Sequence, residues 1–323
     1  MNKFDSLIAD PVDRVEKLLL KSLQGSELEN CVNSLCLQIV RSGGKRLRPK
    51  LTLLSGLALV PDDAEALSQF ELMGAAIELL HTATLIHDDV IDKSPLRRGS
   101  KTLNETEGNH IAVLAGDYMF TRCFLIAYQL DSRVLFKAVN NTISALIAGE
   151  INQLERQNDL ELTPETYGQT IYWKTGALFE LASSGPAIFR NQPEEIVEAL
   201  KTYGRELGTG FQITDDILDY SSDAGKLGKN SGEDLEDGRV TLPLILALRE
   251  ASGSEREQLK EAALHSDLEC VNAFISKYAT LELSRSFALQ AAQRARQALQ
   301  VLPPSPYRDG LEELAGVAVN RSS

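Results

Sequence analysis

Residues 72–92 read LMGAAIELLHTATLIHDDVID, Leu72 through Asp92. Within this stretch Leu72, Ala75, Ala76, Leu79, Leu80 and Ala83 recur every three or four positions, which places them on one face of a helix. The same period carries Leu200, Tyr203, Leu207, Phe211 and Leu218 further along. Apolar–polar alternation is scarce, so a sheet does not organise this chain. Glycine and proline gather at Gly43-Gly44, Pro61, Pro95 to Gly99, Pro164, Pro193, Gly225 to Gly238 and Pro303 to Pro306. Between them run segments of roughly 15 to 30 residues, long enough as helices to cross a domain. Thr163-Pro164-Glu165 and Pro61-Asp62-Asp63 read as helix starts. No repeat of solenoid length and no linker divides the sequence. The expected fold is all-α, one helical bundle around a central cavity, with residues 1–323 forming a single domain.

Two apolar segments end alike. The first closes on His87-Asp88-Asp89-Val-Ile-Asp92 and the second reads Phe211-Gln212-Ile-Thr-Asp215-Asp216-Ile-Leu-Asp219. Residues four apart share a helix face, so Asp88 pairs with Asp92 and Asp215 with Asp219. Carboxylates at the end of a core-facing segment are costly unless cations neutralise them. Oxygen ligands in ones and twos, with a diphosphate completing the shell, suit Mg2+; Mn2+ is the alternative. No His or Cys ligand set accompanies them, which argues against zinc. His87 lies about a third of a turn from Asp88 and reads as a packing residue or as one that supports the ligands from behind, rather than as a ligand itself. One such triplet in an acidic protein would more often be a solvated helix end. Two of them, each followed by a loop carrying glycine and cations, favour a metal–diphosphate site.

With 323 residues, 43% of them apolar, the chain can bury a substantial core. Its 33 Lys and Arg against 46 Asp and Glu give a net charge of −13, which disfavours nucleic-acid binding. Cys31, Cys36, Cys123 and Cys270 lack metal or redox spacing. The start, MNKFDSLIADP, has no secretory pattern, and no run of about eighteen apolar residues is present. The expectation is a soluble, cytoplasmic protein with no transmembrane segment.

Local cations stand out against this acidic background. Gly43-Gly44-Lys45-Arg46-Leu47-Arg48-Pro49 holds three, Arg97-Arg98-Gly99 follows the first triplet, and Lys226 and Lys229 follow the second. Cations beside metal-binding carboxylates point to a ligand of dense negative charge, a phosphate or diphosphate. The order of the first loop is not that of a Walker A loop.

GGKRLRP, HTATLIHDDVID, Arg97-Arg98-Gly99, Lys174-Thr175, FQITDDILD and LGKNSGEDLEDGRVTLPL resemble, in order and spacing, the trans-type polyprenyl diphosphate synthases, nearest the bacterial octaprenyl group. The resemblance runs from about residue 25 to Val301-Leu-Pro-Pro-Ser-Pro. It implies an all-α homodimer in which Asp88, Asp92 and Asp215 hold Mg2+ on an allylic diphosphate, supported by Asp89, Asp216 and Asp219. By the same resemblance Arg97, Lys174 and Lys229 contact the allylic diphosphate, farnesyl diphosphate being the expected starter. Lys45, Arg48, His81 and Arg98 hold isopentenyl diphosphate, and Gln212, Thr175 and Phe211 lie near the developing cation. Glu150 and Gln153 match a motif of the same cavity. Arg239 stands where the family often has lysine, keeping the charge but changing contact geometry. The implied reaction is head-to-tail condensation into an all-trans medium- or long-chain product for quinone side chains, octaprenyl first, with geranylgeranyl to heptaprenyl as the shorter alternative.

Ala83 and Thr84, one turn before Asp88, are both small and leave a path for a growing tail past Ala76 and the helix of Met119 and Cys123. Two rival classes read less well. A class I terpene cyclase rarely combines two such triplets with the GGKRLRP loop, and a structural or regulatory subunit of a heteromeric synthase tends to lose aspartates that are all retained here.

Overall fold

The computed structural model describes residues 3–97, 99–221 and 232–320. In chain order, α1 (Lys3–Leu7), α2 (Ala9–Ser22), α3 (Asn30–Arg41), α4 (Leu47–Leu59) and α5 (Ala64–Ile91) precede a hairpin of β1 (Leu96–Arg97) and β2 (Ser100–Lys101). Next come α6 (Leu103–Glu107), α7 (Asn109–Gln129), α8 (Arg133–Glu155), α9 (Pro164–Ile171), α10 (Ala177–Phe189) and α11 (Glu194–Asp219). Then follow α12 (Glu233–Glu236), α13 (Leu242–Glu250), α14 (Gly253–Leu264), α15 (Leu268–Lys277), α16 (Thr280–Ala298) and α17 (Pro306–Val319). The fold is all-α, and the hairpin is the one sheet among the described residues. The chain divides into two compact units.

The first unit comprises Met1–Asn141, Leu178–Lys201 and Ala298–Glu313. Its axis is α5, about 42 Å long at 1.5 Å per residue. The start expected near Pro61 falls at Asp63, whose carboxylate accepts from the Ala66 amide at 2.9 Å, a cap of about 1 kcal/mol. Ala75, Ala76, Leu79, Leu80 and Ala83 are buried as their spacing predicts, but Met73, Ile77 and Glu78 on the other faces are buried too. The reason is that α2, α4 and α7 pack around α5, and a helix enclosed on several sides has no solvent face to keep polar.

α7 bears on the expectation of no transmembrane segment. It is long and apolar enough by length and composition to cross a membrane, with mean hydropathy 1.4. A search for unbroken apolar runs misses it because Asp117, Tyr118, Thr121 and Arg122 interrupt the helix. Those residues are used within this unit: the Arg122 guanidinium reaches Glu29 at 3.0 Å, and the Tyr118 hydroxyl donates to Asn33 at 2.5 Å.

The second unit comprises Thr142–Ala177, Thr202–Gln297 and Leu314–Ser323. All of Leu242 to Leu248 on α13 is buried, packed among Ile213, Ile217, Leu235, Leu259 and Val271. The Thr163 start holds as read: its hydroxyl accepts from the Thr166 amide, with Pro164 in the first turn of α9. The four cysteines are free thiols.

Candidate active site

In the first unit the Asp88–Asp92 segment is the last turn of α5, and Asp92 is its C-cap. The helix phase separates the three carboxylates. Asp89 is 6% exposed, while Asp88 and Asp92 are half-buried. The chain then turns through the hairpin, where Arg97 pairs with Ser100 in register and Gly99 adopts the positive φ that favours glycine. The Thr102 hydroxyl donates to the Ser94 carbonyl at 2.7 Å and pins the base of this turn. Arg97 Nε is thereby brought back to Asp89 Oδ1 at 2.7 Å. Burial raises the Asp89 carboxyl above its ordinary range, and the Arg97 charge pulls against that shift. His87 packs against Phe120 with its Nε2 3.2 Å from the Val113 carbonyl oxygen, the packing role its helix phase indicated.

The GGKRLRP loop leads into α4 of the same unit. Lys45 is exposed, and the half-buried Arg48 stacks its guanidinium 4.6 Å from the centre of the Phe179 ring. His81, on α5, is half-buried. Below the aspartates on α5, Met73, Ala76 and Leu80 line an apolar cavity together with Cys123 of α7 and with Leu130, Leu135 and Val139. Ala83 is fully buried one turn above Leu80.

In the second unit Asp215, Asp216 and Asp219 end α11. The middle residue is again the buried one, at 3% exposure. Both of its oxygens are occupied: the Tyr167 hydroxyl donates at 2.5 Å and Gln212 Nε2 at 2.8 Å, while Gln212 Oε1 accepts from Thr175 at 2.7 Å. Burial first, and the Asp234 charge second, push the Asp216 carboxyl upward; the bonds from Tyr167 and Gln212 oppose this. Asp219 is raised by the same two causes, against the amides of Asp234 and Glu233 that donate to it.

Lys174 and Thr175 sit on a single π-helical turn, Tyr172–Gly176, a departure from α geometry that is frequent at functional sites. Gly149 makes it possible for α8 to touch this turn, since a Cβ there would lie 2.7 Å from the Lys174 amide nitrogen and 2.8 Å from Trp173 Cβ. Lys174 Nζ is held by Glu150 at 2.7 Å and Gln153 at 2.5 Å. Gln153, Lys174, Thr175, Gln212, Asp216 and Arg239 line one cleft. Arg239 bonds Asp234 at 3.2 Å and Asp237 at 2.9 Å, so its charge is committed to carboxylates of its own segment. Phe211 precedes Gln212 on α11 and is half-buried. Arg98, Lys226 and Lys229 lie outside the described residues.

Tyr167, Asp234 and Gly149 belong to this arrangement and were not singled out from the sequence. Asp234 had a visible signal, the acidic run GEDLED that follows the second triplet. Tyr167 and Gly149 had none, because their partners lie 49 and 25 residues away: Asp216 and Lys174.

A divalent cation fits these donors. Magnesium takes one or two carboxylates and fills its shell with water and phosphate oxygen; among the described residues no three His, Cys, Asp or Glu side chains form a ready-made cage. Burial and the neighbouring Asp234 charge raise the carboxyls of Asp216 and Asp219, and a cation bound beside them would favour their charged forms.

Comparison with known proteins agrees with this chemistry. A family model described as polyprenyl synthetase matches residues 29–280. The chain is 41% identical over 293 residues to the all-trans-nonaprenyl-diphosphate synthase (geranyl-diphosphate specific) of Rhodobacter capsulatus, covering 90% of this chain and 89% of that protein. It is 37% identical over 325 residues to the octaprenyl diphosphate synthase of Escherichia coli K12, covering 99% of each. A solved polyprenyl synthase from Caulobacter crescentus CB15, complexed with calcium and isoprenyl diphosphate, matches with a TM-score of 0.90 at 32% identity over 99% of this chain and 98% of that one. Two aspartate triplets on an all-α scaffold, matched along essentially the whole length, make this chain a member of the polyprenyl synthetase family, a prenyltransferase that builds polyprenyl diphosphates.

Proposed function

We propose that the enzyme condenses isopentenyl diphosphate head-to-tail onto an allylic diphosphate, farnesyl diphosphate first, and releases all-trans octaprenyl diphosphate for quinone side chains. The observation that carries this reading is the shared build of the two triplets: each ends a helix, and in each the middle aspartate is buried on a protein donor while its outer neighbours are less buried. Asp88, Asp92 and Asp215 would hold Mg2+, and Arg97, Lys174 and Lys229 would contact the allylic diphosphate. When bound, Mg2+ supplies neutralisation of the charge that develops on the departing diphosphate. Lys174 and Arg97 exchange their carboxylate partners for phosphate oxygens, and Thr175 and Gln212 turn their dipoles toward the allylic cation. The alkene of isopentenyl diphosphate attacks that cation, and the proton lost goes to the departed diphosphate. Lys45, Arg48, His81 and Arg98 hold the isopentenyl diphosphate. No side chain caps the N-terminus of α4, beside Arg48, an end that favours an anion.

The tail grows past Ala83 and Thr84 into the cavity between Ala76 and Leu135. The nonaprenyl product in the name of the Rhodobacter relative makes nine units the competing length. The enzyme works in the cytoplasm as a homodimer. On α7, Leu114, Leu125 and Tyr128 form an exposed stripe at 61%, 50% and 77%, a patch that a second copy would cover; Leu114→Glu should yield monomers in light scattering. The test of the whole reading is incubation with isopentenyl diphosphate, Mg2+ and each allylic starter, followed by product chromatography. A C40 product is expected, and the absence of any prenyl product would overturn it.

A further inference from the structure

Arg46 behaves unlike the cations beside it. Lys45 is exposed and Arg48 half-buried, whereas the Arg46 side chain is 7% exposed. Its guanidinium spans three helices. Nε and Nη2 bond the Glu16 carboxylate on α2, the latter at 3.2 Å, Nη1 bonds Glu78 on α5 at 3.1 Å, and Nη2 also donates to the Val40 carbonyl of α3 at 2.8 Å. Glu78 is as buried as Arg46, at 7%. The backbone of Arg46 is left-handed, with φ +47, a conformation uncommon for non-glycine residues that six others of this chain also adopt.

A buried ion cluster of this kind is a poor source of stability, because desolvating the charges offsets their attraction and an apolar replacement often serves as well. What it supplies is geometry. The planar fork of arginine binds two carboxylates and a carbonyl in one fixed orientation, which neither lysine nor an apolar residue reproduces. Left-handed backbone at residue 46 reverses the chain between Lys45 and α4, so inserting Arg46 leaves Lys45 outside and starts α4 at Leu47, one residue before Arg48. Glu78 stands three residues, about one turn, before His81 on α5. The ion pair therefore ties the register of the loop to the helix that carries His81.

We propose that Arg46 is a positioning residue for isopentenyl diphosphate: its guanidinium, locked between Glu16 and Glu78, sets Lys45 and Arg48 relative to His81 so that the three meet one diphosphate. This rests on the reading above that Lys45, Arg48 and His81 hold that substrate. The role is in binding geometry, so it shows in the KM for isopentenyl diphosphate and not in the KM for the allylic substrate.

The test is steady-state kinetics on the full chain with each substrate varied in turn. The double variant Arg46→Gln/Glu78→Gln removes both buried charges, and the Glu16 carboxylate that loses Arg46 is partly exposed to water. It should raise the KM for isopentenyl diphosphate at least about tenfold, with the KM for farnesyl diphosphate within about twofold and an unchanged circular dichroism spectrum. Arg46→Lys, which keeps the charge and loses the fork, should raise it in the same direction and carries the test if the double variant does not fold. An unchanged KM for isopentenyl diphosphate, or a parallel rise in both, overturns the proposal. Lys45→Ala separates the two failures. If it raises that KM while the Arg46 variants do not, the substrate reading stands and the positioning role falls; if Lys45→Ala leaves it unchanged, both fall.

Discussion

The Tyr167 hydroxyl donates to Asp216 Oδ2 at 2.5 Å, so the middle carboxylate of the second triplet is held by the protein before any ligand arrives. Asp89 stands in the same relation to Arg97 in the first triplet. On the proposed reading these two aspartates orient the segment and their less buried neighbours meet the ligand. Tyr167→Phe tests this division. The loss of a donor to a buried carboxylate should lower stability by about 1 to 3 kcal/mol in urea unfolding. The concentration of Mg2+ needed for half-maximal activity should rise about tenfold or more, as for other residues that orient metal ligands. No change in Mg2+ dependence would make Tyr167 a packing residue only.

Asp88→Ala and Asp215→Ala remove carboxylates assigned to the ion itself. Each should reduce condensation at least about a hundredfold, since a metal supplies several kcal/mol to a charged transition state and each 1.4 kcal/mol is tenfold. Both variants should retain the wild-type helical circular dichroism spectrum. Near-wild-type turnover in either would remove that residue from the ligand set.

The metal-free protein should show its own pH dependence. Asp216 and Asp219 are raised in the folded state, so over this range the folded protein binds more protons than the unfolded chain. Stability contributed by these two groups is then present at low pH and lost as pH rises from the ordinary carboxylate range toward neutrality. In EDTA the melting temperature at about pH 7.5 should therefore lie below that at about pH 5.5. Mg2+ with inorganic pyrophosphate should narrow the gap more than Mg2+ alone, because no cage of three protein ligands is preformed among the described residues. Equal narrowing by the ion alone would indicate a complete protein site.

Ala83 is fully buried directly above Leu80 and the apolar cavity. Ala83→Phe should fill that level and shorten the products in a radiolabelled chain-length assay. Met73→Ala, at the far end, should lengthen them. An unchanged distribution for Ala83→Phe would place the tail elsewhere.

Much of this molecule can be read from its residues, and the rest cannot for identifiable reasons. The two triplets, the loop of three cations and the helix starts at Asp63 and Thr163 are local patterns, complete within a few residues. The enclosure of α5 is not local: Ile77 and Glu78 are buried by helices from elsewhere in the sequence. Tyr167 and Gly149 carry no pattern of their own, since each matters through a residue dozens of positions away. Arg239 is readable as a cation, but its commitment to Asp234 and Asp237 depends on how the segment turns. α7 is apolar on average, but polar residues that serve one face break its apolar run.

Lys174 is engaged by Glu150 and Gln153 in the free protein. A ligand that takes this lysine must outcompete a carboxylate already tethered within reach, at an effective concentration far above that of any anion in solution. Singly charged anions such as chloride or acetate lose that contest, and polyanions with metal-bridged charge win it. On the proposed reading of Lys174 the internal ion pair would act as a selectivity filter, disfavouring weakly charged competitors in the cleft.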